Sequence, residues 1–224
     1  MSLKPIKIYG TFGPNASKVI MILQELGLAW EDTGVTIADV KKPHYLAVNP
    51  NGRLPSIYDP NTDLTLWESG AIIEYLIETY DKDNRISFPK GSKEAYLCKQ
   101  WLYYQVSGQG PYYGQAVWFS KYHAEKLPSA VERYVKEIRR VTGVLESALS
   151  AVKKGDGEIP YLVGGKLTYA DVAFFSWQLT IVGAMGEDVI DYAAAPTVKA
   201  WIDKVGELPS VKKGMEIAMN TPRE

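Results

Sequence analysis

The pattern of apolar and polar positions changes once along the chain. In the first 80 residues short strand-like and helix-like runs alternate. Ile6-Lys7-Ile8-Tyr9 reads as a strand, and residues 16–26 carry Val19, Ile20, Leu23 and Leu26 at helical spacing, with Gly27 placed to close that helix. A second strand is expected over 30–37 and a short helix over 42–48. Two further strands are expected around 56–59 and 64–67, separated by the turn Pro60-Asn61-Thr62-Asp63. Residues 71–80 then repeat the helical spacing through Ile72, Ile73, Leu76 and Ile77. The order β-α-β-α-β-β-α implies a small mixed sheet with helices packed on it.

Residues 81–90 are polar, with Pro89 and Gly91 as breakers, and read as a linker. Beyond residue 92 strand signals give way to long helical patterns. Residues 129–152 place Val131, Val135, Ile138, Val141, Leu145 and Leu149 on one face. Residues 94–119 form an aromatic helical region broken near Gly108-Gln109-Gly110-Pro111. Thr168-Tyr169-Ala170-Asp171 is a capping box, with Leu167 and Val172 placed as a hydrophobic staple. The helix it starts is apolar nearly all round, so it is expected at the centre of its domain. The expected division is residues 1–82 and 92–224.

Composition narrows the function classes. A net charge of −1 without long blocks of one sign excludes a nucleic-acid footprint. No segment reaches 18 uninterrupted apolar residues and the start lacks an apolar signal core, so neither a membrane span nor a secretory leader is expected. Cys98 is the one cysteine, which excludes internal disulfides and points to a reducing, cytoplasmic setting. It reads as buried and inert. His44 and His123 stand apart, so no metal site is expected.

The most informative segments are Asn49-Pro50-Asn51-Gly52-Arg53-Leu54-Pro55-Ser56-Ile57 and Trp67-Glu68-Ser69-Gly70. Proline lacks a ladder N–H, yet Pro55 opens an apolar strand-like run. A cis Leu54-Pro55 bond reconciles the two, leaving the Leu54 N–H and C=O at a sheet edge suited to strand addition. Glu68-Ser69 opens a helical pattern, which sets a hydroxyl and free amides where a carboxylate is favoured. A pairing edge beside a carboxylate site fits a short acidic peptide such as glutathione. An ordinary turn followed by an N-cap serine fits the same spacing.

These segments, together with Tyr161-Leu162-Val163-Gly164-Gly165-Lys166-Leu167-Thr168-Tyr169-Ala170-Asp171, resemble the glutathione transferase superfamily over essentially the whole chain. Pro14-Asn15-Ala16-Ser17-Lys18-Val19 and the stretch from Trp101 to Gln115 are similar to the fungal branch of the yeast nitrogen regulator and to bacterial nu-class enzymes. Members of that branch carry Gly where this chain has Ala16. The regulator's polar prion-forming extension has no counterpart here. The resemblance implies an α/β thioredoxin-like N-terminal domain followed by an all-α C-terminal domain, a homodimer, glutathione as co-substrate and a detoxification role.

A transferase must hold the glutathione thiol as thiolate, the nucleophilic form. Other branches use a Tyr, Ser or Cys near the end of the first strand. Here Phe12 occupies the serine-type position, and the remaining donors are Thr11, Asn15 and the amides opening the helix. Asn15 donates an N–H but takes no proton, so it would stabilise the thiolate electrostatically; a plain helix N-cap is its simpler reading. Tyr9 is a rival. The resemblance also implies that Leu54 pairs with the cysteinyl unit and that Glu68 and Ser69 hold the γ-glutamyl end. Arg53 with Lys41 or Lys42 is then placed to neutralise the glycyl carboxylate, and His44 is a weaker candidate. Tyr112, Tyr113, Trp118, Phe119 and Tyr122 crowd one region near the Gly-Pro break, where Gly114 leaves room for a flat electrophile; core packing is the commoner use of such aromatics.

Three functions compete: an enzyme that conjugates glutathione to small electrophiles or runs glutathione-dependent disulfide or peroxide reduction, a glutathione-binding regulatory protein with little turnover, and a ligand carrier or structural dimer module. Asn15, Arg53, Glu68 and Ser69 together favour the enzyme.

Overall fold

The computed structural model describes residues 2–152 and 159–221. Its contacts divide the chain into two compact units, Met1–Ser87 with Leu208–Glu224, and Phe88–Glu207. The first unit holds strands β1 (Ile6–Tyr9), β2 (Trp30–Asp32), β3 (Ser56–Asp59) and β4 (Leu64–Trp67) in the order β2-β1-β3-β4. β1 runs parallel to β2 and antiparallel to β3, and β3 is antiparallel to β4. Ile8 lies opposite Ile57, so the fully buried pair sits mid-sheet.

Helices α1 (Pro14–Glu25) and α3 (Ser69–Tyr80) bury Val19, Ile20, Leu23, Ile72, Ile73 and Leu76. Each fully buried aliphatic side chain contributes roughly 1.5–3 kcal/mol. α1 ends as expected: Gly27 has φ 66°, and the Leu28 N–H reaches back to the Leu23 carbonyl. Strand β2 is shorter than expected. The Asp32 carboxylate accepts the Gly34 N–H at 2.9 Å, and Gly34 turns away at φ 75°. That local bond offers the backbone an alternative to the ladder. A 3-10 turn at Ile37–Asp39 and the short α2 (Pro43–Leu46) follow.

Away from β1, the buried Asp59 carboxylate ties the β3–β4 turn to α3. It accepts from the Tyr75 and Tyr80 hydroxyls and from the backbone and side-chain N–H of Asn61. Burial pushes this carboxyl up, but the donors outweigh it and hold it below the usual value.

The second unit is helical: α4 (Lys93–Tyr104), α5 (Gly110–Lys121), α6 (Pro128–Ala151), α7 (Tyr169–Met185) and α8 (Pro196–Gly206). The break expected near Gly108–Pro111 is instead a π-helical turn, Gln105–Gln109, through which the chain continues. Pro111 has no N–H to donate, and the wider turn, with the Gly110 N–H bonded to the Gln105 carbonyl, absorbs that loss. α7 is the central helix, packing against α4, α5 and α8, with Ala170, Val172, Ala173 and Phe174 fully buried. Its capping box forms: both the Thr168 N–H and hydroxyl reach the Asp171 carboxylate. Asp171 also accepts from the Leu162 N–H and Trp201 Nε1–H, and burial raises its pKa against these four donors.

Helix α9 (Pro209–Asn220) groups with the first unit, whereas the sequence reading placed 92–224 together. It packs on α1, and Ser210 donates to Glu25.

Candidate functional site

The candidate site is built on the first unit, from the loop after β1, the turn before β3 and the start of α3. The Leu54–Pro55 bond is cis. Two donors hold the carbonyl before it: the Tyr45 hydroxyl and Asn49 Nδ2 each reach the Arg53 oxygen at 2.7 Å. The buried Tyr45 hydroxyl also meets Ser56 Oγ at 2.9 Å. Asn49 Oδ1 accepts the Asn51 N–H, which closes the turn. Among the described residues, neither the N–H nor the C=O of Leu54 makes a hydrogen bond, so a braced backbone presents one unpaired donor and one unpaired acceptor.

Glu68 caps α3 with φ 69°, a left-handed conformation costing on the order of 1 kcal/mol or more in a non-glycine residue. Its exposed carboxylate lies 3.4 Å from Asn51 Nδ2. Ser69, at the first helical position, is buried, and its hydroxyl makes no hydrogen bond among the described residues. The first-turn amides of a helix have no partner within it. An acidic group, a hydroxyl and free amides therefore converge at one helix end.

Helix α1 starts differently from the simpler expectation for Asn15. Its N-cap is Gly13 at φ 89°, Pro14 follows, and Asn15 lies half-buried in the first turn. Ser17 is buried and returns its hydroxyl to the Gly13 carbonyl at 2.8 Å. Phe12 is half-buried beside them. Gly10 has φ 83°, and a Cβ there would come 2.4 Å from Leu54 Cδ2, so the loop after β1 packs on the Leu54 side chain. Thr11 is buried, with its hydroxyl 2.9 Å from both Asp32 Oδ2 and Thr221 Oγ1. Tyr9 sits opposite Ser56 in the sheet, its ring 6.4 Å from that of Tyr45.

Among the cations, Lys41 donates to the Asn51 carbonyl at 3.1 Å, at the edge of the turn. Arg53 and His44 are exposed. Lys42 is engaged elsewhere, paired with Asp39 at 2.8 Å, which holds that carboxyl well below its usual range. The sequence reading missed a further cation. Lys18 on α1 is fully buried; desolvation lowers its pKa from 10.5 to about 7, against the field of Glu68. A lysine between Ala16 and Val19 on the helix's apolar face was its only signal.

The aromatic residues of the second unit do not gather on one face. Tyr113 is fully buried, its hydroxyl among the Ile138 carbonyl, Thr142 Oγ1 and Gln178 Oε1 at 3.2–3.3 Å. Tyr112 pairs with Tyr134 on another side of α5, and Phe119 stacks on Tyr134. Trp118 is 50% exposed and lies against Tyr122. A Cβ on Gly114 would make ordinary contact with the Trp177 indole at 3.4 Å, so that ring borders the space beside the glycine. Cys98 is buried, and burial pushes its thiol up to about 12. Among the described residues, no three His, Cys, Asp or Glu side chains are arranged to hold a metal ion, and no helix is long and apolar enough to cross a membrane.

A thioredoxin-like four-stranded unit with this turn and helix start, in one chain with an all-helical unit, defines a class. Residues 9–84 match the glutathione S-transferase N-terminal domain and residues 113–216 the C-terminal domain, and the chain belongs to that family. Within it the chain is similar to fungal glutathione S-transferase-like proteins and to Ure2-type proteins. The glutathione S-transferase-like protein tpcF of Aspergillus fumigatus is 56% identical over 218 residues, covering 95% of this chain and 96% of its own. The solved glutathione transferase URE2P6 of Phanerochaete chrysosporium, in complex with oxidised glutathione, superposes with TM-score 0.87 at 44% identity, covering 98% of each chain. Ure2p in complex with glutathione superposes with TM-score 0.86 at 33% identity, covering 96% of this chain and 95% of its own. This protein is a glutathione transferase.

Proposed function

We propose that the first unit holds glutathione with its cysteinyl backbone paired to Leu54 and its γ-glutamyl end at Glu68 and Ser69. The unpaired N–H and C=O of Leu54, on a turn otherwise internally braced, carry this reading. Glu68 takes the α-ammonium, while the Ser69 hydroxyl and the first-turn amides of α3 take the α-carboxylate. Lys41 and Arg53 face the glycyl carboxylate; Lys42, paired with Asp39, has less to offer. The complexes of relatives with glutathione and oxidised glutathione support a peptide of this chemistry as the ligand.

The thiol then lies at the start of α1. Asn15 donates an N–H to sulfur, the helix amides and dipole add positive potential, and the proton leaves to solvent because asparagine accepts none. Thr11, turned to Asp32, supports the loop rather than the sulfur. The thiolate attacks an electrophilic carbon; a C–S bond forms and the leaving group departs with the displaced electron pair. With glutathione supplying both thiols, the same site serves disulfide exchange. The electrophile's walls come from half-buried Tyr112 and exposed Trp118 rather than from the fully buried Tyr113. Detoxification in the cytoplasm by a homodimer completes the reading, and a light-scattering mass of twice the chain's tests the last element.

Asn15→Ala is the test. One donor lost from a fully preorganised anion site costs about 10²–10³-fold in turnover, and a partly solvated thiolate loses less. Bound glutathione should titrate to thiolate at higher pH in the variant, with its affinity little changed. An unshifted titration would sink the assignment of Asn15.

A further inference from the structure

Helix α9 meets α1 along its length. At its start Ser210 donates to Glu25, whose other carboxylate oxygen lies 3.5 Å from Arg85 Nη2. One turn on, a Cβ on Gly214 would fall 2.6 Å from Met21 Cγ, so the backbone of α9 rests directly on an α1 side chain. Just past its end, Thr221 Oγ1 lies 2.9 Å from Thr11 Oγ1, and Thr11 Oγ1 lies 2.9 Å from Asp32 Oδ2.

The two hydroxyl protons have three acceptors to serve: Asp32 Oδ2, the other hydroxyl and the Ile217 carbonyl, 2.8 Å from Thr221 Oγ1. The carboxylate is the strongest acceptor, so Thr11 donates to it. Thr221 then donates to Thr11, because two oxygens 2.9 Å apart with no proton between them repel. The resulting chain, Thr221 to Thr11 to Asp32, is polarised along its length. Asp32 is itself held, since its second oxygen takes the Gly34 N–H. The loop on which Thr11 sits includes two glycines with positive φ, Gly10 and Gly13, and leads straight into the α1 turn carrying Asn15.

We propose that Thr221 is a positioning residue for thiol activation: the C-terminal helix fixes the Gly10–Gly13 loop through the Thr221–Thr11–Asp32 hydroxyl chain, and so sets where the first turn of α1 meets the sulfur. This rests on the Asn15 reading above. Residue 221 touches no substrate in this reading; it acts on the loop from 210 positions away.

The experiment uses the full chain with reduced glutathione and an aryl chloride electrophile, comparing wild type, Thr221→Val, Thr221→Ser, Thr11→Val and Asn15→Ala. Thr221→Val keeps the side chain's size and removes the proton. It should lower kcat by roughly tenfold, since small misplacements of reacting groups cost up to about a hundredfold. It should also raise the pH at which bound glutathione becomes thiolate, while KM for glutathione stays within about twofold because the Leu54 and Ser69 contacts are untouched. Thr11→Val should act in the same direction, and Thr221→Ser should restore both readouts. Wild-type kcat and titration in Thr221→Val, alongside an impaired Asn15→Ala, overturn the positioning role and leave the thiol reading intact. Equal loss in Thr221→Val and Thr221→Ser assigns the effect to packing and also overturns it. A wild-type Asn15→Ala removes the underlying reading and this proposal with it.

Discussion

The two units spend their polar groups differently. In the first, polar atoms just before β3 and at the start of α3 are left open: the Leu54 backbone pair, Ser69 Oγ and the α3 amides. In the second, buried polar side chains are turned on one another. Gln105 donates to Gln109, Gln109 to the Phe174 carbonyl, Tyr113 to Gln178, and four donors converge on Asp171. A buried polar group without a partner costs about 1–3 kcal/mol. A fold leaves such groups open at a site where a ligand supplies the partner, and closes them where only the core benefits. On the reading proposed above, recognition of a charged peptide belongs to the first unit.

The contrast is broken most directly at Asp171. Asp171→Ala leaves the Leu162 N–H, the Thr168 N–H and hydroxyl and the Trp201 indole N–H without their acceptor. At about 1–3 kcal/mol each for the buried donors, a loss of more than about 3 kcal/mol is expected, or failure to fold. Urea denaturation reads it; a stability within about 1 kcal/mol of wild type would show that the second unit does not depend on closing its polar groups.

Lys18 is a buried ionisable group of the first unit that lies outside its open polar atoms. Its pKa of about 7 in the folded protein lies below the ordinary 10.5. Between those values the unfolded chain holds a proton that the native state lacks, so stability rises with pH across the window. Below about 7 both states are protonated and the native state carries the full cost of the buried ammonium; above 10.5 both are neutral and the cost is gone. Lys18→Met should therefore stabilise most at pH 6 and progressively less toward pH 10. The gap, at roughly 1.4 kcal/mol per unit, bounds the gain at about 5 kcal/mol, with the attraction of Glu68 already included. Denaturation midpoints at several pH values check this, and a pH-independent difference would refute it.

The smallest effects sharpen the comparison by pairing two hydroxyls. Ser69→Ala should weaken glutathione binding by about 1–3 kcal/mol in calorimetry while leaving the urea midpoint unchanged. Tyr113→Phe should do the reverse, costing about 1 kcal/mol of stability with glutathione affinity intact. If the two results were exchanged, the division of labour drawn here would be wrong.

Much of the fold was legible because local patterns survive packing. Strands β3 and β4 lie where alternation put them, and Gly27 and the Thr168–Asp171 box punctuate helices as their chemistry requires. The apolar spacing of Val198, Trp201, Ile202 and Val205 held the signal for α8, though it went unread. Strand β2 fell short of its apolar pattern because one side-chain bond, from Asp32 to the Gly34 amide, competed with the ladder. The helix break at Pro111 was misplaced because a π turn satisfies a proline's missing donor as well as an interruption does.

Sequence by itself determined the order of elements through α3, the Gly27 and Thr168–Asp171 helix ends, the Leu54–Pro55 turn and the candidates Asn15, Glu68 and Ser69, since each rests on residues within a few positions of one another. Tertiary structure alone decided that Tyr113 is core, that Lys18 is sealed beside the field of Glu68, and that Thr221 reaches Thr11 and Asp32. Burial and long-range hydrogen bonds depend on which surfaces meet, and separation along the chain carries no record of distance in space.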